Sequence, residues 1–457
     1  MRQRDIFFFW LPLFASWLLM TAEGPIVSAA INRLPDEVIM LAAQGIVVSL
    51  AITIESPIIN LLATATALVR DQHSFRVVRR FTIHWAIALT VVSIAIAFTP
   101  LFDVVVFRWL NTPAEIGRWV RPGLQIMTLW SAAIAWRRFL QGTLIHFGYT
   151  RVVAWGTAVR LLASGGTAIG LALWSGWPGV VIGATALMAG VTAEAIYATV
   201  AIRPLYGREL QGAASPAAAP ALPAENEAPL GYAELFWFHL PLAGTALMTL
   251  LAQPLVTLSL ARLDNPTLSL AAWPLIFQVV LMARAAAMAL PEAVIALTRG
   301  PESYSAIRRF SLTLAALSVA GMALFALSPL LGIYLDQLQD AERSVAGLAG
   351  YGTRLFLLYP ALFVVVSWLR GLLIKVRATR SVNMGMLINL VLTALVLALG
   401  VALRWPGITS AAAALYLAII AEMFYLARRV RLRLGIRLWV DTAPPALQPA
   451  VVEDRRP

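Results

Sequence analysis

Two stretches decide how this chain is read: Phe9-Trp10-Leu11-Pro12-Leu13 and Phe238-His239-Leu240-Pro241-Leu242, which lie 229 residues apart. The same offset pairs Pro25 with Pro254, Arg33-Leu34 with Arg262-Leu263, and Leu41-Ala42-Ala43 with Leu270-Ala271-Ala272. It pairs Arg70 with Arg299, Arg79-Arg80-Phe81 with Arg308-Arg309-Phe310, and Pro100-Leu101 with Pro329-Leu330. It continues through Gly142 and Gly371, Ile145 and Ile374, and Thr150-Arg151 and Thr379-Arg380. Further on the offset is 228, pairing Trp177-Pro178-Gly179 with Trp405-Pro406-Gly407, Glu194 with Glu422, and Tyr197 with Tyr425. Leu and Ala pairs recur by chance in an apolar chain. Pro, Trp, Gly and Arg-Arg in one register do not, so the chain is a duplication.

The duplicated unit is built for lipid. Of 457 residues, 60% are hydrophobic and 13% charged, against 45–50% and about 25% in a soluble domain. Mean hydropathy is +0.79. Apolar runs long enough for a helix to cross a bilayer are predicted at 6–31, 38–69, 81–107, 119–146, 151–174 and 178–203, and at 233–261, 267–298, 310–335, 345–375, 380–404 and 406–430. The expected fold is all-α and integral to the membrane, with twelve transmembrane helices in two six-helix repeats. An even number of spans makes the copies parallel. Their pseudo-two-fold axis then runs along the membrane normal, with the binding cavity between them. The first lobe is 1–203 and the second 233–434, joined by an Ala/Pro-rich linker at 204–232 and followed by a tail at 435–457 expected to be disordered.

The formal net charge of +12 is not read as nucleic-acid binding. The basic residues recur in short gaps between apolar runs: Arg70, Arg76, Arg79 and Arg80 after the second span, Arg203 and Arg208 after the sixth, Arg308 and Arg309 after the eighth, Lys375, Arg377 and Arg380 after the tenth, and Arg428 to Arg437 after the twelfth. The alternate loops are poorer in positive charge, with the loop at 108–121 the exception. This places both termini and the linker in the cytoplasm, as for a protein of a bacterial inner membrane. There are no cysteines and four histidines, and no HExxH, P-loop or dinucleotide fingerprint. Metal, thiol and ATPase chemistry are not expected, and the chain does not read as an enzyme. The first run, 6–31, is too long for a cleavable signal.

The six-plus-six parallel repeat with its linker resembles the multidrug/oligosaccharidyl-lipid/polysaccharide exporter superfamily, over about 1–430. Within it, Leu41, Ala42, Gly45 and Ser49 followed by Ser56-Pro57, with Trp273-Pro274 and Pro291 in the eighth span, resemble the progressive ankylosis branch. Glu55 and Arg284 stand outside that pattern. The resemblance implies a MATE-like fold and an ion-coupled secondary exporter driven by protons or sodium, with no cofactor. A flippase for an anionic lipid-linked precursor, an exporter of polyvalent anions, and a non-transporting scaffold or scramblase subunit remain alternatives. The expected partners are the bilayer and a small-molecule or lipid-linked substrate. The expected state is a monomer, because the duplication already supplies the two-fold arrangement.

Ionisable groups at membrane depth are candidate functional residues by default. Glu55 and Arg284 hold the same repeat position with opposite charge. They are expected to face each other across the cavity, as a coupled switch or as a fixed pair. Glu23, beside Gly24-Pro25, is a second ion-coupling candidate, or a hydrogen-bonded kink residue. Arg138, Arg160 and Arg370 are candidates for a basic vestibule, or for simple anchoring. Gln44, Asn60 and Gln278 either line the cavity or bond between helices. Pro12, Pro57, Pro241 and Pro291 are hinge candidates, or static kinks. Glu194 and Glu422 are read as structural partners of the cytoplasmic arginines that follow them, Arg203 and Arg428-Arg429.

Overall fold

The computed structural model describes residues 2–204, 230–298, 301–376 and 378–434. The tail at 435–457, nearly all of the linker, and Arg208, Arg299, Arg377 and Arg437 lie outside the described residues. Regular structure among the described residues is helical. The twelve long helical segments are α1 (Gln3–Ile31), α2 (Glu37–Leu68), α3 (Gln72–Phe98), α4 (114–146), α5 (Thr150–Trp174), α6 (Gly179–Ala201), α7 (Tyr232–Leu260), α8 (Pro266–Leu297), α9 (Pro301–Leu327), α10 (343–375), α11 (Thr379–Ala402) and α12 (Gly407–Leu434). Ten are long and apolar enough to cross a bilayer, and α10, bent by 46° between Arg343–Leu355 and Tyr359–Lys375, makes eleven. The twelfth, α4, has the same two-piece form, but Arg118, Arg121, Arg137 and Arg138 lower its hydropathy. The chain is a multi-pass membrane protein.

The repeat is written in the backbone as well as in the sequence. A π-helical turn at Val104–Trp109 recurs at Ile333–Leu338. Left-handed residues Asp36 (φ 57°) and Asn111 (φ 54°) recur as Asn265 (φ 51°) and Asp340 (φ 50°). Thr99 and Ser328 are both extended, at ψ 173°, because a proline follows each and disfavours helical backbone.

Two predicted spans moved at both ends. The third and ninth spans start earlier than 81 and 310, at Gln72 and Pro301, and end earlier, at Phe98 and Leu327. The arginines before Phe81 do not end the helix. Arg76 and Arg80 are exposed while Phe75, Val78 and Phe81 are buried, so this turn is amphipathic. Asp71 starts it: its carboxylate accepts from Ser74 N at 2.8 Å, and the Ser74 hydroxyl accepts from Asp71 N at 3.0 Å. This is a reciprocal capping box.

Helices α2 and α8 break at matching places. In α2 the 3-10 turn Ser56–Ile58 contains Pro57, which has no N–H to donate. The Ser56 hydroxyl bonds Thr53 O at 2.8 Å across the break. In α8 the break is at Ala289, just before Leu290-Pro291. Helix α1 runs through Pro12 without interruption, and α7 breaks at Leu251, ten residues beyond Pro241.

Packing divides the chain into two units. Unit one comprises Met1–Thr21, Ile276–Gln337 and Gly347–Pro457; unit two comprises Ala22–Leu275 and Leu338–Ala346. Each is tightened by a glycine of the repeat. In unit two a Cβ on Gly142 would lie 2.4 Å from Leu62 O; in unit one a Cβ on Gly371 would lie 2.8 Å from Val294 Cβ. Within unit two the repeat mates Gly45 and Pro274 also meet, a Cβ on Gly45 falling 2.9 Å from Pro274 Cγ.

Candidate functional site

Unit two holds a connected set of buried charges on five helices. Helix α1 brings Glu23, α2 Glu55, α4 Trp130, Arg137, Arg138 and Gln141, α5 Arg160, and α6 Glu194. The Arg160 guanidinium donates to Glu23 through Nε at 3.1 Å and Nη2 at 2.5 Å. Its Nη1 stands 3.8 Å from Glu194. Glu194, fully buried, accepts from Arg137 Nη1 at 2.6 Å and from Gln141 Nε2 at 2.8 Å. Glu55 is also buried and accepts from the Trp130 indole N–H. Arg160 lies over the same indole, 5.7 Å from its centroid. Arg137 Nε and Arg138 Nε each lack a hydrogen-bond partner. Arg160 is thus a cation shared between two carboxylates on different helices.

Unit one carries the counterpart set with the charges rearranged. Glu422 on α12 accepts from Arg370 Nε on α10 at 2.8 Å and from Asn389 Nδ2 on α11 at 2.9 Å. At an offset of 229, Gln141 matches Arg370 and Arg160 matches Asn389. Each glutamate therefore meets an amide from one helix and an arginine from the other, with the two exchanged. Arg284 lies over Phe363 at 3.7 Å and Tyr359 at 5.7 Å. Tyr359 is the repeat mate of Trp130. The Glu55 carboxyl accepts from the indole N–H edge, and the Arg284 guanidinium meets ring faces. Arg284 Nε has no hydrogen-bond partner.

The structure brings Glu23, Glu55, Arg138 and Arg160 into one cluster and puts Arg284 and Arg370 together in unit one. Asn60 instead ties helices, its Nδ2 donating to Leu242 O at 2.7 Å. Gln44 is buried with neither amide atom partnered, against α6 where a Cβ on Gly183 would lie 2.8 Å away. Gln278 is half-buried on α8. One reading is corrected. Glu194 and Glu422 pair with arginines of α4, α5 and α10, not with Arg203 or Arg428-Arg429. Arg203 lies about 13 Å farther along the axis of α6 at 1.5 Å per residue, and the helix faces that bear the glutamates pack inward. Trp130, Gln141, Tyr359, Phe363 and Asn389 were not singled out from the sequence. Applying the repeat offset to aromatic and amide positions would have found the pairs Trp130–Tyr359, Gln141–Arg370 and Arg160–Asn389.

Unit one also contains an apolar groove of about 600 Å³ between α1, α8 and α9, lined by Phe7, Phe14, Met282, Leu317 and Phe325 among others. Among the described residues, no cluster of three or more His, Cys, Asp or Glu side chains suits a metal ion.

No protein-family model and no curated protein matches the sequence. Solved structures share the fold. An inward-facing multidrug resistance MATE family transporter of the MOP superfamily superposes with a TM-score of 0.65 at 14% identity, over 91% of this chain and 95% of that one. The lipid II flippase MurJ in an inward closed conformation gives 0.70 at 9% identity, over 92% and 87%. A MOP superfamily transporter from Pyrococcus furiosus gives 0.63 at 12% identity, over 95% and 96%. The chain has the fold common to MATE transporters and MurJ.

Proposed function

We propose that this chain is an ion-coupled secondary exporter, not an enzyme, that works by alternating access on a small organic solute. Proton or sodium entry drives it. It sits in a bacterial inner membrane as a monomer, with both termini cytoplasmic. The observation that carries the reading is the buried run Glu23–Arg160–Glu194–Arg137 beside Glu55. Burying such charges costs several kcal/mol per ion unless they are paired, and in membranes they mark proton and ion pathways. A shared arginine between two carboxylates has two arrangements, and protonation of one carboxylate chooses between them. Glu23 and Glu55 are the coupling groups, and Arg284 contacts the substrate.

A flippase acting on a lipid-linked precursor is the second reading. It is favoured by the apolar groove in unit one, which suits an acyl chain, and by the likeness to the lipid II flippase. In the Pyrococcus furiosus neighbour, a binding pocket of reversed polarity suggests a different function, so the sign of the cavity is the discriminating observable.

Thermal unfolding of the purified protein against organic cations, polyvalent anions and lipid-phosphate analogues separates the readings, because a ligand that binds the folded state stabilises it by mass action. Stabilisation by organic cations that is lost in Glu55→Gln supports the solute exporter, and its survival in Arg284→Ala would remove Arg284 from the substrate contacts. Stabilisation confined to lipid-phosphate analogues and lost in Arg284→Ala replaces it with the flippase.

A further inference from the structure

The repeat offset exposes a contact made twice. In unit one the Trp10 indole N–H donates to Ala286 O at 2.9 Å, and the ring meets Phe310 edge-on at 5.7 Å and 69°. In unit two His239 Nε2 stands 2.9 Å from Pro57 O, and the ring meets Phe81 edge-on at 5.2 Å and 80°. A carbonyl only accepts, so His239 Nε2 carries the proton. Trp10 and His239, Ala286 and Pro57, and Phe310 and Phe81 are each 229 residues apart. Three repeat mates thus form the same arrangement in both units, with an indole in one and an imidazole in the other.

The place of the contact gives it meaning. The accepting carbonyl lies two residues beyond the intramembrane charge in each case: Glu55 then Pro57, Arg284 then Ala286. It also lies at or just before the helix break, at Ser56–Ile58 in α2 and Ala289 in α8. The ring comes from the first helix of the other repeat, α1 for α8 and α7 for α2. In unit two the grip extends past the break, because His239 Nδ1 lies 2.8 Å from Thr64 Oγ1. His239 is fully buried and Trp10 nearly so. At such depth no water replaces a lost partner, so the freed carbonyl stays unsatisfied.

We infer that Trp10 and His239 form a duplicated latch. Each is a positioning residue that clamps the break behind the charge of the opposite repeat's helix, and so fixes where Arg284 or Glu55 sits. Release of the ring is the local event that frees that charge to move. The role of release in transport rests on the alternating-access reading above; the clamp itself does not.

Hydrogen exchange of the full chain in lipid nanodiscs, without substrate or gradient, reads the clamp directly. His239→Phe keeps a ring and removes the donor; it speeds exchange over 56–64 three- to tenfold, the range expected for one interhelical hydrogen bond in a membrane, and leaves 285–293 at the wild-type rate. Trp10→Phe does the reverse. Should one variant fail to fold, the other carries the same reciprocal test. Unchanged exchange at the targeted break overturns the latch. So does an equal rise at both breaks, which marks general loosening. A reciprocal pattern without solute transport leaves the latch standing and removes the transport reading alone.

Discussion

At the scale of the residue, charges that lipid will not solvate find their partners inside the protein. Arg137 and Glu194 are 3% and 0% exposed and 2.6 Å apart. Removing one partner of such a pair costs about 3–5 kcal/mol, largely because the other stays buried and uncompensated. Arg137→Met is expected at the lower end, about 3 kcal/mol, since Gln141 and Arg160 still face Glu194. The double variant with Glu194→Gln should lose less than the sum of the singles, as residues in one network couple. Equilibrium unfolding in mixed micelles measures both, and simple additivity would sink the pairing. Trp130→Phe tests the other contact of the cluster. It keeps the ring and orphans Glu55, and is expected to cost about 1–3 kcal/mol in the same assay. Glu55, Arg284, Glu23 and Arg160 were all legible as intramembrane charges. Their partners were not, because hydropathy tells how deep a side chain lies and not which neighbouring helix it faces. Glu194 shows the limit: the arginine nearest along its own helix, Arg203, is not the one that meets it.

At the scale of the element, two features set where helices start and how closely they approach. Asp71 caps α3, and the Ser74 backbone N–H, followed by the Ser74 hydroxyl, holds its carboxyl below the ordinary range. A depressed carboxylate stabilises the fold above its unfolded value of about 3.9, and that contribution is lost as pH falls through the folded value. Asp71→Ala should therefore cost about 1 kcal/mol near neutral pH, with the deficit shrinking as pH drops below about 4. Thermal unfolding across that range checks it; a deficit independent of pH would contradict the charged cap. Gly142 lets α4 approach the second part of α2, and a Cβ there would meet the Leu62 carbonyl, a backbone atom that cannot step aside. Gly142→Ala is expected to destabilise by about 1–3 kcal/mol through overpacking; an unchanged unfolding midpoint would show that the helices part freely. Helix existence was readable from apolar runs throughout. The starts of α3 and α9 were misplaced because an amphipathic, arginine-bearing turn looks like a loop when only apolar length is counted.

At the scale of the molecule, duplication is the organising fact. It was legible from prolines, tryptophans and paired arginines alone, and it extends to π-helical turns, left-handed residues, helix breaks and the ring contacts of Trp10 and His239. What it did not preserve is every charge at membrane depth: Glu194 and Glu422 still match, but Glu55 has Arg284, Arg160 has Asn389 and Glu23 has Ala252 as its mate. Unit two accordingly holds the buried carboxyls Glu23, Glu55 and Glu194, and unit one holds Glu422 and the Arg284 guanidinium over aromatic faces. The orientation read from the arginines predicts that reporters fused to either terminus are active only in the cytoplasm; activity of one across the membrane would mean an odd number of crossings. The central claim is that ion movement through the carboxylates of unit two drives a solute across the bilayer. Its most direct test is reconstitution of the full chain in liposomes, with an imposed proton or sodium gradient and flux followed for a panel of organic cations and anions, in wild type and in folded Glu55→Gln. Gradient-driven flux of at least one solute is expected in wild type and is lost in Glu55→Gln. Flux no greater than in protein-free liposomes for the whole panel, or flux untouched by Glu55→Gln, would contradict it.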